Sequence, residues 1–281
     1  QMAQAARTRA FVGEERLAAE RQTTEEAGYV QQCLSFDVAE KRPVRIEKIL
    51  ALYTSHDRAI ADCAHEASKA IREVGDFAEL ERTHAKAWER LWYRCDVQLW
   101  HDEPTQLILR LHIFHLLQTV SMHTIDLDAG VPARGLHGEA YRGHIFWDEL
   151  FIFPFLNLRI PEITRALLRY RYRRLPEARR AARRAGYNGA MFPWQSGSDG
   201  QEETQVIHLN PRSNRWHPDH THLQRHINVA IVFNVWQYHE ATADREFISF
   251  YGAEMVLEIA RFLASLTTYN AELDRYEICG V

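Results

Sequence analysis

Residues Ala133 to Phe153 read Ala-Arg-Gly-Leu-His-Gly-Glu-Ala-Tyr-Arg-Gly-His-Ile-Phe-Trp-Asp-Glu-Leu-Phe-Ile-Phe. Three glycines, two arginines, two histidines and a Trp-Asp pair stand directly before an apolar helix start. Neither a period of 2 nor one of 3.6 accounts for these residues, so burial is not what fixes them. Gly135, Gly138 and Gly143 permit backbone bends and close approach that a Cβ would block. Trp147 offers a flat apolar face and Asp148 two acceptors. That is the pair needed to hold a sugar ring by its CH face and its hydroxyls.

Two further polar-aromatic stretches follow. Phe192 to Gln205 reads Phe-Pro-Trp-Gln-Ser-Gly-Ser-Asp-Gly-Gln-Glu-Glu-Thr-Gln, and Gln224 to Asp244 contains Gln-Arg-His-Ile-Asn and Val-Trp-Gln-Tyr-His-Glu-Ala-Thr-Ala-Asp. In order and over roughly residues 40 to 281, the three stretches resemble the motifs of glycoside hydrolase family 65. That family holds inverting phosphorylases of maltose, trehalose, kojibiose and nigerose, and fewer α-glucoside hydrolases. The resemblance implies a mainly α fold: part of an (α/α)6 barrel, preceded by a helical linker and the last strands of an N-terminal β-sandwich domain. Its expected divisions are 1–54 for the end of the β-sandwich, 55–100 for the linker and 101–281 for the first half of the catalytic barrel.

Composition sets the outer limits. The chain has 281 residues, 46% hydrophobic and 26% charged, an ordinary globular balance. A net charge of −4 favours neither nucleic acid nor an anionic membrane surface. Cys33, Cys63, Cys95 and Cys279 lack CxxC spacing and read as reduced thiols of a cytoplasmic protein. No run approaches a membrane span, and Gln1 to Glu26 is not signal-like. Fifteen histidines and seven tryptophans suit a polar-aromatic cleft.

Along the chain, residues 1–28 show no clean start signal and read as disorder or a loose helix. From Val30 to Tyr53 the pattern alternates, with Val44, Ile46 and Leu50 at even spacing, as in strands with one wet face. Ser55-His56-Asp57 can cap a helix carrying Ile60, Cys63, Ala64, Ala67 and Ile71 on one face. A second helix carries Trp88 and Trp92 in a packing stripe. Gln106 to Val120 is apolar nearly all round, which predicts a helix enclosed on all sides. Further helices are expected over 147–157, 161–175, 176–184, 223–240 and 245–266. Eight arginines between Arg169 and Arg184 suggest a nucleic-acid surface. Glu162 and Glu177 in first turns and the acidic balance of the chain instead favour a solvated helix face. His222 and His226 would be four apart on one face if Leu223 opened a helix, but no HExxH glutamate accompanies them. Histidines at the lip of a sugar cleft are preferred to a metal site.

Glycoside cleavage with inversion needs a general acid at the leaving oxygen and a base or an incoming phosphate on the opposite face. From the residues alone, Glu139, Asp148, Glu149, Asp199, Glu202, Glu203 and Asp219 are candidates, with Asp148 favoured because Phe146 and Trp147 can desolvate it. The resemblance assigns otherwise. It gives Trp147 and Asp148 to the glucosyl ring, joined by Arg142, and gives Trp194, Gln195, His226 and Asn228 to the reducing-end sugar. It places the acid in a Pro-Asp-Glu motif just after Val281, with the phosphate-binding groups or hydrolytic base further on. On that expectation the chain is an internal piece with no catalytic residue of its own. Trp147-Asp-Glu-Leu-Phe151 departs from the Trp-Asp-Thr-Glu-Ile of many phosphorylases, and the His-Gly-Glu-Ala-Tyr-Arg-Gly-His run that starts at His137 resembles a bacterial branch with hydrolytic members.

The function implied is cleavage of an α-linked disaccharide by phosphorolysis to β-glucose 1-phosphate plus glucose. A kojibiose- or trehalose-type hydrolase and a non-catalytic carbohydrate-binding protein are the alternatives. No cofactor or metal is expected; inorganic phosphate would be a co-substrate. The expected partner is a small-molecule disaccharide, not nucleic acid or membrane, and the resemblance leaves room for a homodimer.

Overall fold

A computed structural model describes residues 1–58, 60–138 and 140–279. It combines helix and sheet, and it divides into two compact units, Gln1–Leu91 and Trp92–Val281. The division falls within the segment that the sequence assigns to a helical linker.

In the first unit, β1 (Met2–Val12) pairs antiparallel along its whole length with β5 (Val44–Thr54), from Met2↔Thr54 to Val12↔Val44. The short β2 (Glu15–Arg16) extends this sheet, and β3 (Glu20–Glu26) pairs separately with β4 (Tyr29–Ser35). Residues 1–28, expected as disorder or loose helix, are therefore mostly strand, and the chain is mixed rather than mainly α. Its alanines, arginines and glutamine give β1 little strand signal of its own; eleven paired residues on β5 supply what its composition withholds.

The face of β5 is also the reverse of the expected one. Glu47 and Ile49 are buried, whereas Ile46, Leu50 and Leu52 are exposed. Arg7 explains the inversion. Its guanidinium donates to the carbonyls of Ile71 (3.0 Å) and Val74 (2.9 Å) at the end of α1 (Cys63–Glu73), and lies 4.0 Å from the Glu47 carboxylate. Those carbonyls lack helical partners, so the cation fits there and draws Glu47 inward with it. The α1 cap is Asp62, which accepts from His65 N, not the expected Ser55–Asp57. Cys63, Ala67 and Ile71 form its buried stripe as the periodicity predicts.

After α2 (Phe77–Cys95), the second unit opens with α3 (Glu103–Leu117), capped by Asp102. Within this chain the apolar helix is covered on one side only. Ile113 and Leu117 are buried, but Leu107, Ile108 and Leu111 are about half exposed or more, because the described residues cover one stripe only. The core lies between α4 (Glu149–Arg159), α5 (Pro161–Arg173), α6 (Leu175–Arg184), α7 (Ile227–Thr242) and α9 (Ala253–Leu266). A single turn, α8 (Arg245–Phe247), runs into α9 through a π-helical segment, Ile248–Gly252. Phe153, Leu156, Leu168, Ile227, Phe247 and Phe262 are fully buried there. Two small hairpins complete the unit, β6 (Ile207–Asn210) with β7 (Arg215–Pro218) and β8 (Thr267–Asn270) with β9 (Arg275–Ile278).

Most of the arginines between 169 and 184 are spent on acids. Arg179 pairs with Glu254 and Glu258, Arg180 and Arg184 with Glu177, and Arg173 and Arg174 with Asp128. This neutralised face is not what a phosphate backbone requires.

The loop leading from α6 to the second motif is locked onto α9. Ala190 N donates to Glu258 O (3.0 Å) and Asn188 N to Ser265 Oγ (3.0 Å). Gly189, at φ +67°, would place a Cβ 2.1 Å from Glu258 O. Gly189→Ala should therefore lower stability by more than about 1 kcal/mol, read as a reduced urea midpoint with unchanged slope.

Candidate functional site: an aromatic cleft at the starts of two helices

Helices α4 and α7 pack together and both begin at the same place, since the rings of Trp147 and His226 lie 5.5 Å apart just before them. Trp194 completes the cluster, 5.8 Å from Trp147 and 5.0 Å from His226. Phe146 and Tyr141 extend it, at 5.8 Å from Trp194 and 4.8 Å from Phe146 respectively. These rings border a cleft of about 590 Å³ lined by Tyr141, Arg142, Phe146, Trp147, Asp148, Trp194, Gln195, Thr204, Gln205, His208, Asp219 and Thr221. The volume and the mixture of ring faces with polar groups suit a small polar ligand.

Five of the seven residues singled out in the sequence line this cleft: Arg142, Trp147, Asp148, Trp194 and Gln195. His226 stands beside them through its ring contacts. Asn228 is placed differently. It is fully buried, accepts from Phe192 N (2.8 Å) and donates to Arg225 O (2.9 Å). Its amide is engaged with the loop that leads to Trp194, and Asn228 is not among the residues that line the cleft.

Asp148 sits at the α4 start without capping it. Among the described residues no other group donates to its carboxylate, and burial beside the rings pushes its pKa above the ordinary aspartate value. Its neighbour Glu149 turns the other way. Fully buried, it receives Arg171 Nε at 3.1 and 3.2 Å, while Arg171 Nη2 donates to Phe146 O at 2.9 Å. Burial pushes the Glu149 carboxyl up, and the guanidinium beside it pulls against that rise.

Two loops are stitched together across the cleft floor. Ile145 and Ser196 exchange backbone hydrogen bonds (3.1 and 2.9 Å), and Tyr170 Oη donates to Gly197 O (2.7 Å). Glu202 gathers the second loop, accepting from Trp194 N (2.7 Å), Gln195 N (3.0 Å), Thr204 N (3.2 Å) and Thr204 Oγ1 (2.5 Å). Gln195 Nε2 donates to His144 Nδ1 at 2.6 Å. Tyr141, Arg142 and Gly143 hold φ of 54°, 57° and 71°, a left-handed run costly for its two non-glycine members. Arg142 Nη2 reaches Glu203 O at 3.3 Å.

These contacts thin the set of candidate acids. Glu149 is tied to Arg171, Glu202 to the loop backbone, Asp199 to Gln201 and Asp219 to Thr221, and Glu203 is exposed; of the two carboxylates lining the cleft, Asp148 is the desolvated one. Glu139 lies outside the described residues. His222 belongs to a 3-10 turn, Thr221–Leu223, and α7 starts only at Ile227, so His222 and His226 do not share a helix face.

His144, Thr204, Gln205, His208 and Thr221 were not anticipated as site residues. His144 was legible, lying inside the quoted motif. The β6–β7 hairpin had a usable signal in Asn210-Pro-Arg-Ser-Asn214, a turn sequence between two short runs.

A family model for the glycosyl hydrolase family 65 central catalytic domain matches residues 110–281, and one for the family's N-terminal domain matches residues 1–91. An uncharacterized glycosyl hydrolase of Mycobacterium tuberculosis is 52% identical over 238 residues, covering 85% of this chain and 18% of that protein. A kojibiose phosphorylase of Thermoanaerobacter brockii is 40% identical, with 88% of this chain and 32% of that protein covered. A trehalose 6-phosphate phosphorylase of Lactococcus lactis is 35% identical, with 89% and 32% covered. The chain thus spans a third or less of the length of these relatives. A solved structure described as a candidate kojibiose phosphorylase from the human microbiome shares the fold. It superposes with a TM-score of 0.73 at 22% identity, over 100% of this chain and 35% of that one.

Two outcomes test the geometry. A carboxylate whose folded pKa is raised costs stability as pH rises through that pKa, so Asp148→Asn should leave Tm unchanged or higher at neutral pH. The same substitution should weaken sugar binding at least tenfold, from a lost charged acceptor worth about 1.5–3 kcal/mol. Wild-type binding should fade on acidification at a higher pH than an ordinary aspartate would dictate. Arg171→Met leaves Glu149 buried without its partner and should cost about 3–5 kcal/mol in chemical denaturation.

Proposed function

The chain belongs to glycosyl hydrolase family 65, and from this we propose that it binds α-glucosidic disaccharides for inverting cleavage, by phosphorolysis to β-glucose 1-phosphate plus glucose. The observation that carries the reading is Asp148: a desolvated carboxylate, unclaimed by any other described donor, beside Trp147 in a cleft of about 590 Å³. Trp147 takes the CH face of the glucosyl ring, and Asp148 and Arg142 take its hydroxyls. Trp194, Gln195 and His226 face the second ring, with Asn228 holding the loop behind them. Asp148 positions the sugar; proton delivery is assigned to the general acid of the family motif.

The barrel is part of the same proposal. Helices α4 and α7 start together at the cleft, and α5 runs back to it, with Arg171 near its end reaching Glu149 at the α4 start. Such alternation of direction supports half of an (α/α)6 barrel over residues 101–281, preceded by a linker over 55–100 and β-sandwich strands over 1–54. Inorganic phosphate is the co-substrate and no cofactor is required. The setting proposed is cytoplasmic, consistent with four free cysteines.

Incubation of a protein that carries this chain together with the family's general-acid motif, with kojibiose, trehalose, nigerose or maltose and inorganic phosphate, should release β-glucose 1-phosphate. Phosphate-independent release of glucose would instead establish the hydrolase, and binding without cleavage of any of them would establish a binding protein. Changing Gln195 or His226 should reorder preference among these disaccharides while altering glucose binding less. An unchanged ranking would remove both residues from the second subsite.

A further inference from the structure

One wall of the cleft is built by a segment outside the aromatic cluster. Thr204, Gln205, His208, Asp219 and Thr221 all lie on the β6–β7 hairpin or the chain flanking it. Asp219 N donates to Val206 O (2.9 Å), closing the hairpin base and fixing where the carboxylate stands. Asp219 Oδ1 accepts from Thr221 N (2.9 Å) and Thr221 Oγ1 (2.6 Å), and its other oxygen has no hydrogen-bond partner among the described residues. Those bonds, with His208 and His222 nearby, hold the Asp219 carboxyl below the ordinary aspartate range, so it stays charged at neutral pH.

We propose that this hairpin is the wall on which the second sugar ring rests, and that Asp219 makes it select neutral sugars or polyols over phosphorylated ones. The inference rests on the carbohydrate reading above and narrows its substrate class. The open oxygen of Asp219 accepts a hydroxyl, while Gln205, His208 and Thr221 can serve as donors or acceptors to others. A phosphate on that ring would bring a charge of about −1.5 to −2 to the same place. The cleft lining offers one arginine, Arg142, against the two carboxylates Asp148 and Asp219. Arg215 pairs with Asn210 near the hairpin tip and Arg212 lies in its turn; neither lines the cleft. On this wall a phosphorylated ring would therefore face the Asp219 carboxylate with no lysine or arginine among the described hairpin residues that line the cleft, only the imidazole of His208. Like charges brought together are how a site rejects a ligand.

Binding of trehalose and of trehalose 6-phosphate can be compared by calorimetry at fixed ionic strength, with kojibiose as a second neutral ligand. Trehalose 6-phosphate should bind at least about tenfold more weakly than trehalose. Asp219→Asn should narrow that ratio, and in the unaltered protein rising salt should narrow it as well, because the repulsion is screened. The salt series keeps the test decisive if loss of the Thr221 bonds unfolds the variant. Equal or tighter binding of the phosphorylated sugar, or a ratio indifferent to both Asp219→Asn and salt, would overturn the inference alone. Failure of both neutral sugars to bind would overturn the carbohydrate reading, and this inference with it.

Discussion

The cleft depends on one buried cation. Arg171 is enclosed in α5, yet it holds the Glu149 carboxylate and the Phe146 carbonyl together at the point where α4 begins. Trp147 and Asp148 lie between those two attachment points, so their direction is set by an interaction neither of them makes. Such a pair contributes little net stability, because two desolvated charges offset most of their attraction. Its value is positional. Once Glu149 is committed inward, Asp148 is left facing the cleft.

The same stretch of α5 supports the opposite loop. Tyr170 Oη reaches Gly197 O, and Arg174 stacks on the Tyr170 ring (3.5 Å to its centre) while donating to Ser198 O and Asp128. Residues 170, 171 and 174 thus fix the loop before α4 and the loop after α6 from one side. Glu202 then organises the second loop internally, drawing two successive backbone donors, at Trp194 and Gln195, onto one carboxylate. The left-handed run at Tyr141–Gly143 leads directly into anchored residues, His144 held by Gln195 and Ile145 by Ser196.

How much of this was legible varies with the kind of signal. The stretch from Ala133 to Phe153 could be read because no packing period explains it, and its Trp-Asp pair does stand in the cleft. The helix stripes of α1 and the boundaries of α5 and α6 followed from periodicity and first-turn prolines. What could not be read were effects settled at a distance. The pairing of β1 depends on a partner strand more than thirty residues away, and the inward face of β5 on where Arg7 places its charge. An asparagine in the first turn of a helix looks the same whether its amide meets a ligand or, like that of Asn228, the backbone of Phe192. The run of arginines misleads for the same reason, since the acids that neutralise it, Asp128, Glu254 and Glu258, come from other segments.

The two carboxylates left in the cleft are pushed in opposite directions. Asp148, desolvated among aromatic rings, rises; Asp219, on an exposed hairpin and hydrogen-bonded by Thr221, falls. Groups of one chemical type are commonly given different tasks in this way, by environment rather than identity. The dry wall gains most from a ligand that replaces lost water with hydroxyl donors, since an unpaired buried charge is costly. The wet wall keeps its charge whether or not a ligand is present, so it contributes less to affinity and more to the choice among ligands. A ring held by Trp147 and Asp148 is thereby recognised by fit, and whatever is attached to it is sorted by field. That division follows from which helix start is buried and which hairpin is not.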